Sequence, residues 1–272
     1  MHIIHNGKLT DEDKCLTAIN RAYQYGDAIF ETIKYRNGHA LFINDHYERL
    51  IKSMNMLKLI VPDFFSIDFF QERFLQLTLK NNCTASARIR LQVYRDSDGY
   101  YFPSDNQCGF TITSAHLKTP DYVLNESPIK IDAYTENYKS KTPLSNLKSA
   151  NALLYIVAAQ YANQHGLDDC FILNEDGNVA EAVSSNVFIF KDDLFFTPPL
   201  NDGCVEGIMR KQFIQIATRE NISCVEKSLN IKEINAADEI ILTNVIQGIR
   251  VVKCDSQMKK TMQRFINMLN AN

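Results

Sequence analysis

Three short stretches of this sequence carry residues able to do chemistry. Lys148 stands in Asn146-Leu147-Lys148-Ser149-Ala150-Asn151-Ala152-Leu153-Leu154, where an apolar run of helical character opens. A helix N-terminus disfavours a cation. The same placement favours the neutral amine, which is the form that condenses with carbonyl groups. Read alone, it is better explained as a solvated surface lysine. Glu181 lies in Asp176-Gly177-Asn178-Val179-Ala180-Glu181-Ala182-Val183-Ser184-Ser185-Asn186-Val187-Phe188, among small apolar residues. A carboxylate there needs a partner. A pyridinium nitrogen suits it, since the carboxylate keeps that nitrogen protonated and the ring an electron sink; an ordinary salt bridge at a strand end suits it as well. Val205-Glu206-Gly207-Ile208-Met209-Arg210 opens a helix after Pro198-Pro199-Leu200-Asn201-Asp202-Gly203. Free amides at such a start bind anions such as phosphate, although the string also describes any helix beginning.

The elements that must position these residues fall into two halves. Ile29 to Tyr35 alternates as a strand, and Asn37-Gly38 before Ala40-Leu41-Phe42-Ile43 predicts a hairpin. Asp45 with Glu48 predicts a capping box ahead of a helix carrying Leu50, Met54 and Leu57, and Ser66 opens a second helix through Leu79. Ala87 to Tyr94 alternates again, and Gly109 to Ala115 closes the first half. His116 to Ser127, with Pro120 and then Pro128, has no periodicity and marks the boundary. The second half mixes strands at Ile129–Tyr134, Cys170–Leu173, Val187–Phe190 and Glu239–Leu242 with helices at Ser149–Gln164, Ile208–Glu220 and near the C-terminus. The expectation is α+β: a smaller N-terminal domain over 1–118, a linker over 119–127, and a larger domain over 128–272.

Composition narrows the function classes. At 272 residues with 45% hydrophobic and 22% charged, the chain is long enough for a sizeable core. A formal net charge of −3 offers no basic footprint for nucleic acid. No Lys/Arg block or long apolar run points to a membrane, and no cationic-then-apolar leader opens the chain, so a cytoplasmic location is expected. The seven cysteines (15, 83, 108, 170, 204, 224, 254) are scattered, with no Cys-x-x-Cys, and read as free thiols rather than disulfides or metal ligands.

Taken together and in order, the three stretches resemble the class IV aminotransferases of fold type IV, the group of branched-chain aminotransferases, D-amino-acid aminotransferases and 4-amino-4-deoxychorismate lyases. The resemblance runs from Asn6-Gly7 and Tyr25-Gly26-Asp27-Ala28-Ile29-Phe30-Glu31 to Glu239-Ile240-Ile241-Leu242. It includes the 181 − 148 = 33 residue gap, Lys148 with Asn151, and Ser185-Asn186-Val187-Phe188. It implies a two-domain, D-amino-acid aminotransferase-like fold and pyridoxal 5′-phosphate (PLP) as cofactor. Lys148 would be the Schiff-base lysine and proton shuttle, Glu181 the partner of the pyridine nitrogen, and Arg49 the bidentate phosphate arginine. Ile208 and Met209 would give amides to the phosphate, Val205 would pack on the ring, and Asn244 and Val245 would form a second phosphate loop. Where some members carry a hydroxyl residue in that loop, Val245 has none.

For the substrate, the resemblance points to Glu31 and to one of the strand arginines Arg88, Arg90 and Arg95, of which Arg90 and Arg95 differ in parity and so cannot both serve; read alone, the arginines are better explained as a solvated strand face. Phe30-Glu31 resembles the aminotransferase branches, whereas the chain length, Lys-x-x-Asn, Gly207-Ile208-Met209-Arg210 and Asn244 resemble the lyases. Leu153 stands where branched-chain members often have tyrosine. The implied activity is amino-group transfer between an amino acid, branched-chain among them, and a 2-oxo acid. The alternatives are a 4-amino-4-deoxychorismate lyase releasing pyruvate and 4-aminobenzoate, and an inactive binding protein on the same scaffold. The family also implies a homodimer.

Overall fold

The computed structural model of the protein describes residues 1–11 and 17–271, so Cys15 lies outside the described residues. The chain divides into two compact units, Met1–Asp121 with Lys148–Asn151, and Tyr122–Leu147 with Ala152–Asn272. A four-residue excursion that includes Lys148 therefore belongs to the first unit, although the chain on both sides of it belongs to the second.

The first unit contains β1 (His2–His5), β2 (Lys8–Asp11), α1 (Arg21–Tyr25), β3 (Ala28–Arg36), β4 (His39–Ala40), α2 (Ile43–Met56), α3 (Ile67–Lys80), β5 (Ser86–Arg95) and β6 (Cys108–His116). Its six strands form one sheet in the order β2-β1-β6-β5-β3-β4. β3 and β5 pair antiparallel without a register shift from Ala28↔Tyr94 to Arg36↔Ser86. Alternation then sends Ile29, Ile33 and Tyr35 with Ile89, Leu91 and Val93 into a core shared with Leu50, Met54, Phe70, Phe74 and Leu77 of α2 and α3. Phe30, Thr32, Arg88, Arg90 and Gln92 take the opposite face.

The hairpin at Asn37-Gly38 forms, but β4 is only two residues long and Ile43 already belongs to α2. The expected capping box does not form. The chain enters α2 through Phe42 at φ 56, with no side-chain cap, and Asp45 sits inside the first turn, where its charge favours the helix dipole instead. Ser66 does cap α3, its hydroxyl accepting from the Phe69 amide at 3.1 Å.

The second unit contains β7 (Ile131–Lys139), α4 (Leu153–Gln164), β8 (Asp169–Asn174), β9 (Val179–Ala182), β10 (Asn186–Lys191), β11 (Leu194–Thr197), α5 (Ile208–Arg219), β12 (Cys224–Glu226), α6 (Ile231–Asn235), β13 (Glu239–Asn244), β14 (Gly248–Lys253) and α7 (Ser256–Asn270). β7-β8-β9 make one sheet and β12-β11-β10-β13-β14 another. Phe171, Val187, Leu242 and Leu229 anchor one core, and Tyr134, Ala158 and Ile172 another.

The expectation of a helix from Ser149 is corrected. α4 starts at Leu153, because residues 148–150 are held by β3: the Phe30 amide donates to Lys148 O at 2.8 Å, and the Ala150 amide donates to Ala28 O at 2.9 Å. Ser149 and Ile29 form an antiparallel bridge. Lys148 therefore stands on bridged, extended backbone, and the helix-dipole argument for its amine does not apply. Among the described residues no helix is long and apolar enough to cross a membrane. The described cysteines are free, and no cluster of potential metal ligands occurs among the described residues.

Candidate active site

In the first unit, Phe30 collects two cations on the polar face of the sheet. Lys148 Nζ lies 4.8 Å from its ring centroid, and the Arg90 guanidinium lies 3.6 Å from it. Register explains the Arg90 contact: Thr32 pairs with Arg90 and Phe30 with Gln92, so Phe30 and Arg90 are diagonal neighbours on one face. Arg90 also donates from Nε and Nη2 to Gln92 Oε1, at 3.2 and 2.8 Å. Burial, with help from Arg88, brings its pKa down to about 10, so Arg90 stays a cation at neutral pH.

Arg95 does not share this face. It is buried and donates to Asp27 Oδ2 at 3.0 Å, Asn106 Oδ1 at 2.5 Å and Leu57 O at 2.9 Å. Those partners make it an anchor for the end of α2 and the loop after β5. Of Arg90 and Arg95, only Arg90 is placed beside Lys148.

Glu31 lies on the core face of β3, 2% exposed. Arg49 grips it side-on, Nε to Oε1 at 2.8 Å and Nη2 to Oε2 at 2.5 Å, and His46 Nδ1 adds a contact to Oε2 at 2.6 Å. Burial works to raise the Glu31 carboxyl, but the Arg49 charge and the bonds from His46 and Arg49 overcome it and hold the pKa at about 2. Burial pushes His46 the other way, below its usual value, against the pull of Glu31. A neutral imidazole carrying its proton on Nδ1 satisfies both tendencies, and it turns the unpartnered Nε2 into a bare acceptor rather than a stranded donor. With both oxygens engaged inside the core, Glu31 is placed as a support for Arg49 rather than as a substrate contact. His46 is a member of this group that the sequence reading missed; only its position three residues before Arg49, one turn of helix, hinted at it.

In the second unit, Glu181 on β9 is 4% exposed and accepts three hydrogen bonds. Lys139 Nζ, at the end of β7, and the Tyr155 hydroxyl, at 2.6 Å, both reach Oε1, while the Val205 amide donates to Oε2 at 3.0 Å. Lys139 is itself 6% exposed, and its Nζ lies 5.3 Å from the Tyr155 ring centroid. Burial raises the Tyr155 hydroxyl well above its usual range, and the neighbouring Glu181 charge adds to this, so it remains a donor. Neither Lys139 nor Tyr155 was singled out from the sequence. Both lie on elements where a polar residue reads as an ordinary one; the pairing of β7, β8 and β9 brings Lys139 to Glu181, and the packing of α4 on that sheet brings Tyr155.

The loop before α5 is pinned by two asparagines. Asn146 Nδ2 donates to Leu200 O and Cys204 O, at 2.8 and 2.7 Å, and Asn186 Nδ2 donates to Val205 O at 2.9 Å. Gly207 precedes Ile208 and Met209 with no side chain capping the helix. A Cβ at Gly207 would lie 1.9 Å from Asn186 Oδ1, so a larger residue there would have to displace the Asn186 side chain. Across the β10–β13 ladder from Asn186 stands Thr243, whose buried hydroxyl has no hydrogen-bond partner. After it, Asn244 Oδ1 accepts from the amides of Ile246 and Gln247, at 3.1 and 2.8 Å, and its Nδ2 donates to Ser185 Oγ at 3.1 Å. The Asn244 side chain therefore shapes the turn, and the amide of Val245 is what that turn has to offer a ligand. An uncapped helix start, an orphaned hydroxyl and a turn fit a phosphate-sized anion.

The family model for amino-transferase class IV matches residues 28–254. The chain is 31% identical over 252 residues to a putative branched-chain-amino-acid aminotransferase of Methanocaldococcus jannaschii, covering 89% of this chain and 84% of that one. It is 27% identical over 266 residues to a D-alanine aminotransferase of Bacillus licheniformis, covering 94% and 89%. The fold is similar to the crystal structure of a putative 4-amino-4-deoxychorismate lyase from Legionella pneumophila, with a TM-score of 0.83 and 26% identity over 95% of this chain and 98% of that one.

Proposed function

This chain belongs to the class IV aminotransferase family, and on that premise we propose that Lys148 and Glu181 serve one PLP cofactor in an amino acid:2-oxo acid aminotransferase. The family's chemistry makes PLP the cofactor and amino-group transfer the activity. The observation that carries the site assignment is the buried Glu181 carboxylate, placed 33 residues after Lys148 and held by three donors. When bound, PLP supplies a carbonyl for the amino group and an electron-withdrawing ring.

The chain's own residues do the rest. Lys148 would hold the cofactor, and its amine would move the proton at the substrate Cα. Glu181 would serve the ring nitrogen through Oε2, and Val205 would pack against the ring. The amides of Ile208, Met209 and Val245 would hold the phosphate, together with the turn set by Asn244. Arg49 would meet the phosphate with its outer Nη1–Nη2 edge, since Glu31 has the inner one. Arg90, a cation beside Lys148, is the residue we assign to a substrate carboxylate.

We place the enzyme in the cytoplasm as a homodimer. Free thiols favour the first. For the second, the loop tip Tyr100-Tyr101-Phe102 is 81%, 85% and 91% exposed, yet its backbone is fastened: Arg21 Nη1 donates to Gly99 O and Tyr100 O, at 2.7 and 2.6 Å. A fixed, fully exposed aromatic tip is suited to docking on a partner surface. Sedimentation of the Tyr101→Ser, Phe102→Ser double variant should give a monomer where the parent gives a dimer.

The second reading is the lyase: the fold is similar to the Legionella protein, and Leu153 stands where branched-chain enzymes often have tyrosine. Purified protein given L- and D-amino acids with 2-oxoglutarate, and separately aminodeoxychorismate, decides between them. Oxo-acid formation from amino acids supports the aminotransferase; pyruvate and 4-aminobenzoate from aminodeoxychorismate, without transamination, supports the lyase.

A further inference from the structure

Glu181 already has a buried cation before any ligand arrives. Lys139 and Tyr155 share one of its oxygens, Oε1, and only the Val205 amide takes the other. Both partners are fixed: Lys139 by the end of β7, where it pairs with Asn174 in the parallel ladder to β8, and Tyr155 by the first turns of α4. A carboxylate whose only task is to keep a ring nitrogen protonated works best unshared, because a second cation on it lowers its basicity and repels the proton on the ring. An ammonium within hydrogen-bond distance of Oε1 does both.

We propose that Lys139 is a charge-attenuating residue for the cofactor's pyridine nitrogen, acting through Glu181: Tyr155 and the Val205 amide orient the carboxylate, and Lys139 divides its negative charge so that the nitrogen is held less tightly than by a lone carboxylate. The proposal rests on the reading of Glu181 as the ring-nitrogen partner. It makes the depth of the electron sink a property of a lysine that never touches the cofactor.

The test compares apo-protein affinity for PLP with affinity for 1-deaza-PLP, in which C–H replaces the ring nitrogen. The ratio isolates the nitrogen contact, since a loosened fold changes both affinities alike. The parent should prefer PLP, and Glu181→Gln should bring the ratio towards one. Lys139→Met should raise the ratio on the order of tenfold, because one close charge interaction is removed, and Lys139→Arg should return it to the parent value. A Lys139→Met ratio that stays unchanged or falls, while Glu181→Gln collapses it, overturns the proposal and leaves the Glu181 reading standing. A ratio unmoved by Glu181→Gln overturns both. If Lys139→Met does not fold, Lys139→Gln is measured in its place against the same criterion.

Discussion

Replacing Glu31 by glutamine should unmask how much the buried Glu31–Arg49–His46 group contributes to the first unit. In the parent, the carboxyl is held at about 2, against an ordinary value of 4.5. A difference of that size corresponds to about 3 kcal/mol of folded-state stabilisation. An independent expectation comes from breaking a buried ion pair, which costs about 3–5 kcal/mol because the remaining charge is left uncompensated. Here that charge is the Arg49 guanidinium, 8% exposed. The sign follows from a depressed carboxyl: the stabilisation is complete above the unfolded value and is lost as pH falls through the folded one. The gap between parent and Glu31→Gln should thus be about 3 kcal/mol at neutral pH and shrink to about 2 kcal/mol near pH 3.5. Hydrogen exchange of the β3 and α2 amides reads this locally, without requiring the whole chain to unfold in one step. An equal gap at both pH values would refute the electrostatic account and leave a steric one.

Three further outcomes are expected. Arg49→Ala should weaken PLP binding on the order of tenfold to a hundredfold, from about 1.5–3 kcal/mol of charge-assisted contact; adding Glu31→Gln should restore stability but not affinity, and recovery of both would remove Arg49 from the phosphate. Gly207→Ala, whose methyl group would collide with Asn186 Oδ1, should leave the visible spectrum of PLP-saturated protein intact yet raise the cofactor dissociation constant, measured by equilibrium dialysis. Borohydride reduction followed by peptide mapping should place the phosphopyridoxyl group on Lys148 and leave Lys148→Ala unlabelled; label on another lysine overturns the assignment.

The legible part of this protein was the part written in local pattern. Alternation gave β3 and β5, Ser66 announced α3, and Gly207 marked the start of α5. Local pattern misled at Asp45, where a suitable spacing was not a cap because the chain turns three residues earlier, at Phe42. It misled again at Lys148, where an apolar run suggested a helix but strand pairing with β3 set the backbone. The core-face position of Glu31 follows from the same alternation that separates Arg90 from Arg95. Lys139 and Tyr155 were illegible for a different reason. Their meaning depends on which strands become neighbours and on where α4 packs against them, and no spacing along the chain encodes that.

The excursion at Lys148–Asn151 has a consequence for synthesis on the ribosome. β3 pairs with β5 along one side, while residues 28–30 on its other side are matched by residues 148–150. A nascent chain that has emerged only as far as Asp121 holds all six strands of the first sheet but leaves the Phe30 amide and the Ala28 carbonyl open, a short unpaired edge of the kind that recruits foreign strands. That edge closes only when the segment bearing Lys148 is delivered. Truncated chains ending near the boundary should therefore aggregate, and separately expressed halves cut at Asp121 should each lack something the other carries.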